Sequence, residues 1–209
     1  MASWENWMPE LVLAAPKAPV PLIHMALNRA ARTFLKATRA WQEWLEPTDV
    51  TGEAFAEYTF ELPQGAELLR LERATLAGRP LEVAKARDLP ADPWQHELHG
   101  KLYLVTTNLR EFTVRTGSSG DSAGRLQVYA SLMPSLRGNS VPDEVASLYH
   151  EAIREGAKAE LLATEGTDYY KPDQAGVALA FFQRAMDDAT ADVWRSNTSR
   201  GSRGRASWL

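Results

Sequence analysis

Two neighbouring stretches decide the fold: PDEVASLYHEAIREGAKAELLATEG at 142–166 and PDQAGVALAFFQRAMDDATADVW at 172–194. In the first, Val145, Leu148, Tyr149, Ala152, Gly156, Ala159 and Ala163 recur at helical spacing, which places them on one stripe. Pro142 suits a first helical turn, and Asp143 and Glu144 set negative charge at the positive end of the helix dipole. Gly166 is a natural stop. The stripe is mostly Ala and Gly, so a second helix can approach closely. Pro172 and Asp173 open that partner, and Ala178, Phe181, Ala185, Ala189 and Val193 carry its inner face. The pattern predicts a helical hairpin.

Outward from the hairpin, composition sets the bounds. The chain has 209 residues, 44% of them hydrophobic, enough for a substantial core in one domain with room for a second small lobe. Net charge is −4, unevenly placed. The segment 195–209 holds Arg195, Arg200, Arg203 and Arg205 without an acidic residue, leaving −8 on the body. An acidic body with a basic tail points to a tail that meets an acidic partner. With no cysteine, the fold owes nothing to disulfides or thiolate metal sites. No apolar run approaches the roughly 20 residues of a membrane span. The first residues carry Glu5 and Glu10 but no basic head, so a secretion signal is not expected.

Upstream, Trp4, Trp7, Met8, Leu11 and Val12 form a short apolar, helix-like piece interrupted by Pro9. Such tryptophans need a surface to cover, either the chain's own core or another subunit. From Pro21 a helix is expected to about residue 44, with Ile23, Leu27, Ala30, Phe34, Ala37 and Trp41 on one stripe. Its other face carries Arg29, Arg32, Lys36 and Arg39, read as solvated. After Trp44 the period shortens. Thr59–Leu62 and Glu67–Leu76 alternate, and Ala77-Gly78-Arg79-Pro80 turns into Leu81–Val83 as a β-hairpin. Residues 102–107, 111–116 and 125–132 read as further strands, the last two joined by the Gly/Ser loop 117–124. The expectation is therefore α+β: a three-helix bundle (about 21–44, 142–165 and 172–194) with an inserted antiparallel β region at about 45–135. Together 1–194 form the body, and 195–209 an extended arm.

Chemistry-bearing patterns are few. Gly120-Asp121-Ser122-Ala123-Gly124 matches G-x-S-x-G, but a nucleophile elbow needs a helix directly after the serine, and a strand follows here. His96 and His99 could share a metal, yet no third ligand is evident beside them. His150-Glu151 begins like H-E-x-x-H but has Arg154 where the second histidine must stand. Neither a phosphate loop nor a dinucleotide fingerprint occurs. The reading is a protein that is not an enzyme and needs no cofactor or metal.

The residues of the hairpin do resemble a family. Val141-Pro142-Asp143, Tyr149-His150-Glu151-Ala152-Ile153, Gly156-Ala157 and Leu161-Leu162 look like the signature helix of tailed-bacteriophage head–tail adaptor (connector) proteins. Pro19-Val20-Pro21-Leu22 with Ala26-Leu27, Ala30-Ala31, Phe34 and Trp41 resembles their first helix. Asp92-Pro93-Trp94 with Tyr103 resembles their middle loop and strand. Gly124 to Leu126, Val128 and Leu132-Met133-Pro134-Ser135 are similar to their last strand, and Tyr170-Lys171-Pro172 with Phe182 and Ala185 to their final helix. The chain departs from the pattern after Glu111, where the Gly/Ser loop replaces a shorter turn.

The resemblance implies a structural virion protein forming a ring, commonly of twelve copies, beneath the portal. Such a ring joins capsid to tail, binds the next tail or nozzle component and extends the channel for genomic DNA. It would sit in the virion neck after assembly in the host cytoplasm. An acidic lining would repel phosphate and let DNA slide. The resemblance also implies an arm that reaches into the portal, here Arg195, Arg200, Arg203, Arg205, Trp208 and Leu209. A Ser/Gly/Arg-rich segment cannot build a core, so 195–209 is expected to be disordered alone and to order on a neighbouring virion protein. The alternative is a nucleic-acid-binding protein gripping DNA with its basic tail, against which overall acidity weighs.

Overall fold

A computed structural model of the chain describes residues 1–51, 56–85, 102–106, 111–116 and 123–197. It forms two compact units, one from Met1–Ser3 and Trp41–Glu144, the other from Trp4–Ala40 and Val145 onward.

In the first unit, β1 (Ala2–Ser3) pairs with β10 (Ser140–Val141). The Met1 amino group meets the Asp143 carboxylate at 2.9 Å. The remaining strands are β2 (Gln42–Trp44), β3 (Thr48–Thr51), β4 (Tyr58–Thr59), β5 (Ala66–Leu76), β6 (Arg79–Lys85), β7 (Leu102–Thr106), β8 (Glu111–Thr116) and β9 (Ala123–Pro134). They make one eight-stranded sheet in the order β2-β9-β5-β6-β7-β8-β4, with β3 following β2 along the same side of β9. Strand β6 pairs with β5 through residues 79–81 and with β7 through 82–85, so it links the two along its length. The sheet curls far enough that Tyr58 Oη of β4 accepts the Thr51 N–H of β3 at 2.9 Å.

This overturns the expected three-helix bundle with an inserted antiparallel β region. The sheet is large and mixed, because β6 and β7 run parallel. Side-chain alternation is blind to strand direction, whereas the span 86–101 is long enough for the crossover that parallel pairing needs. Register slips between Leu68 and Arg70 and between Leu71 and Arg73 let β5 stay paired with β9 over its whole length. The expected hairpin at 77–78 is present. Ala77 (φ 49°) and Gly78 (φ 80°) both lie in the left-handed region, the type I′ geometry that matches strand twist. Inside the sheet Phe112 stacks between Phe60 (4.3 Å) and Tyr58 (5.5 Å). The fully buried Ser131 hydroxyl donates to Glu72 at 2.7 Å and accepts from Gln42 Nε2 at 3.3 Å.

The second unit holds a 3-10 turn (Trp4–Asn6) and four α-helices: α1 (Met8–Ala14), α2 (Val20–Thr38), α3 (Asp143–Leu162) and α4 (Pro172–Asn197). Among the described residues there are four helices rather than three because Pro9 opens α1 instead of breaking it; its missing N–H is an orphan in a first turn anyway. Helix α2 stops at Thr38, six residues short of expectation. Thr38 Oγ1 donates to Phe34 O and accepts from Ala40 N, and Arg39 enters the left-handed region (φ 55°) with its N–H on Leu35 O. Trp41 is buried as expected, but it belongs to the sheet, where its carbonyl accepts the Leu132 N–H.

Candidate functional site

The residues of the signature stretch meet in the helical unit. Gly156 of α3 faces Ala30 of α2 and the Phe182 ring of α4 so closely that an added Cβ would lie 2.8–3.0 Å from them. Phe34 of α2 completes this centre, 4.9 Å from the Tyr149 ring and 6.2 Å from that of Phe182. The inner face of α4 therefore runs through Ala175, Ala178, Phe182 and Ala189, while Phe181, expected inside, is 46% exposed. Leu148 is also exposed. Helix α3 bends at Tyr149 (φ −124°, ψ 19°), and the bend takes Leu148 off the stripe that Ala152, Gly156 and Ala159 continue.

The N-terminal piece docks on its own chain. Trp4 and Trp7 are buried, and Trp7 stacks on His150 at 4.8 Å while its Nε1–H donates to the His150 carbonyl at 3.0 Å. Beside them Glu10 of α1 pairs with Arg154, which also meets Glu155 at 3.0 Å; Glu155 in turn meets Lys158 at 3.2 Å. Burial opposes the Arg154 charge, but the hydrogen bond and field of Glu10, with those of Glu155, outweigh it and hold the guanidinium above its ordinary pKa. His150 and Arg154, the two positions compared with a zincin motif, thus serve packing and ion pairing. Among the described residues no three His, Cys, Asp or Glu side chains gather as a metal would require. Nor is any described helix long and apolar enough to cross a membrane.

Burial, aided by the field of Asp192, raises the Tyr149 phenol above its ordinary pKa of 10.0. An acid whose folded pKa is raised contributes stability fully present below the unfolded value and lost as pH rises through the folded one. Urea midpoints should therefore fall less between pH 8 and pH 10.5 for Tyr149→Phe than for the parent chain. Equal falls would mean that the phenol ionises freely in the native state.

Next to Gly156 the three helices leave a cleft of about 490 Å3. Ala30, Ala159, Ala163, Ala175 and Gly176 give it a shallow, small-residue wall, with Leu179, Tyr170 and Phe182 as larger apolar borders. The Arg29–Glu160 ion pair (2.7 Å) lies on its rim. A cleft of this kind takes an apolar side chain from a peptide more readily than it performs chemistry. Sequence reading missed it, although the signal existed: the small residues that permit helix approach also leave space where no larger side chain fills in.

Of the arm residues read from sequence, Arg195 is on α4, which continues to Asn197, and its guanidinium pairs with Asp192 at 2.9 Å. Arg200, Arg203, Arg205, Trp208 and Leu209 lie outside the described residues, as do His96, His99 and Ser122. Compared with known proteins, the sequence matches no family model and no curated protein.

Proposed function

We propose that the protein is a head–tail adaptor of a tailed bacteriophage, assembling as a ring beneath the portal and joining capsid to tail. One observation carries the reading. Segments that separately resemble the adaptor family, around Ala30 and Phe34, around Tyr149 and Gly156, and around Phe182, converge on a single packing centre. From that centre α4 leads outward into the basic segment with Arg200, Arg203 and Arg205, suited to an acidic protein surface. In this reading the partners are the portal, the next tail or nozzle component and further copies of the chain, twelve to the ring. Genomic DNA passes through without sequence recognition, and the protein resides in the virion neck.

The test mixes the purified chain with the portal ring encoded in the same genome and images the product by negative stain. The expected result is a second ring stacked on the portal. The chain shortened to residues 1–197 should lose at least about a hundredfold in affinity, because many weak arms act together in a ring. No binding by the full chain would overturn the adaptor reading, and undiminished binding by the shortened chain would move the contact to the body. A gel shift of free DNA, weakening steeply with salt, would favour the nucleic-acid alternative instead.

A further inference from the structure

The sheet unit carries an aromatic pair on the face opposite its core. Along β9, Leu126, Val128 and Ala130 are buried, whereas Gln127 is exposed and Tyr129 half-buried on the other side. Trp44 of β2 stands directly across from Tyr129, with Arg73 of β5 opposite it on the far side. Trp44 is 57% exposed, and its ring lies 5.2 Å from the Tyr129 ring at 45°. So open an indole on a sheet face is the informative kind of exposure. A bulge shapes the space beside it. Between the Trp44–Tyr129 and Thr48–Leu126 pairs, Leu45, Glu46 and Pro47 on one strand oppose only Gln127 and Val128 on the other. Pro47 suits a bulge because it has no N–H to give to the ladder. The result is a hollow of about 480 Å3 lined by Trp44, Leu45, Glu46, Pro47 and Gln127. We propose that it binds a neutral hexopyranose of a glycan, stacked on the open face of Trp44.

The polar groups fit hydroxyls. The Glu46 carboxylate, Gln127 amide and Arg73 guanidinium make no hydrogen bond or ion pair among the described residues, nor do the Trp44 N–H and Tyr129 hydroxyl. By contrast, the Trp7 and Trp41 ring N–H groups are both bonded, to His150 O and to Glu43. Glu46, Gln127 and Arg73 end in flat, two-pronged groups, the shape that grips adjacent hydroxyls, while the axial C–H bonds of a sugar meet an aromatic face. Charge selects among ligands. On this face Glu46 and Asp49 balance Arg73 and Arg125, so the positive excess that a nucleic-acid strand requires is missing. The Trp44 and Tyr129 rings lie too close to leave a slot for a proline of an extended peptide. From Trp44 to Arg73 is two strand spacings, about 10 Å, the length of a disaccharide.

The test uses the full chain without portal, so its failure leaves the adaptor reading to its own experiment. Cellotriose, maltotriose and the trimer of N-acetylglucosamine are the probes, read by saturation-transfer NMR. Expected is binding of at least one of them with a Kd of about 1 mM. Trp44→Ala should weaken it at least about tenfold and Gln127→Ala about threefold, while Trp44→Phe keeps most of it. Because Trp44 is exposed, its substitution should leave the thermal melt in place. Should the melt shift, Glu46→Ala and Gln127→Ala, also at exposed positions, carry the test. No transfer to any of the sugars, or transfer undiminished in these variants, would overturn the proposal. Trp44-dependent binding of oligothymidylate or oligoproline in place of the sugars would overturn it too.

Discussion

Trp7→Ala is expected to lower the stability of the chain by about 3–5 kcal/mol, the cost of emptying a large aromatic site in a core. The indole is fully buried, lies 5.6 Å from Trp4 in an edge contact and is nearly parallel to the His150 ring. Its removal leaves a cavity under the 3-10 turn and uncovers the imidazole. Urea unfolding followed by circular dichroism measures the loss. Trp7→Phe keeps most of the volume but deletes the hydrogen bond to His150 O, and should cost about 1 kcal/mol for that bond in addition to its smaller ring. A loss below about 1 kcal/mol for Trp7→Ala would show that the N-terminal piece is not part of the cooperative core.

Gly156→Leu should cost about 3 kcal/mol, the upper part of the range for overpacking. Even a first added carbon would sit 2.8 Å from Cε2 of Phe182 and 3.0 Å from Cβ of Ala30, so the helices must part or the ring must leave its position. Gly176 is the internal control. It too lies within a helix, yet nothing stands within 4 Å of its added Cβ. Gly176→Ala should gain about 0.8–1.0 kcal/mol from helix propensity. Thermal melts of the two variants should move in opposite directions. A neutral Gly156→Leu would mean that the three-helix contact at this point is loose.

The helical hairpin was readable because its evidence is local: a proline and acids at one end, small residues at one angular position, a second proline to restart. The choice between Phe181 and Phe182 was not, since both lie at helical spacing from Ala178. It is settled by the space that Gly156 leaves on a different helix. The kink at Tyr149 was equally hidden, and with it the exposure of Leu148. The sheet suffered more. Alternation identifies β5 and β9 but not the parallel partner of β6, and β2 is only three residues long. The cleft was invisible for a further reason. A small side chain reads as a contact in sequence, and becomes a void only when three helices are seen together.

The helical unit is assembled from two pieces of chain separated by the entire sheet unit, and this has a consequence during synthesis. Helices α1 and α2 leave the ribosome with Trp4, Trp7, Ile23, Leu27 and Phe34 turned toward partners that do not yet exist. About a hundred residues must be translated before α3 begins, about 5–20 s at about 5–20 residues per second. Over that interval the nascent chain displays its most adhesive surface while the sheet is still sorting a parallel pairing, which is slow by topology. Yield in the cell should thus respond to chaperone supply and to translation speed through 41–144 more than equilibrium stability alone would suggest.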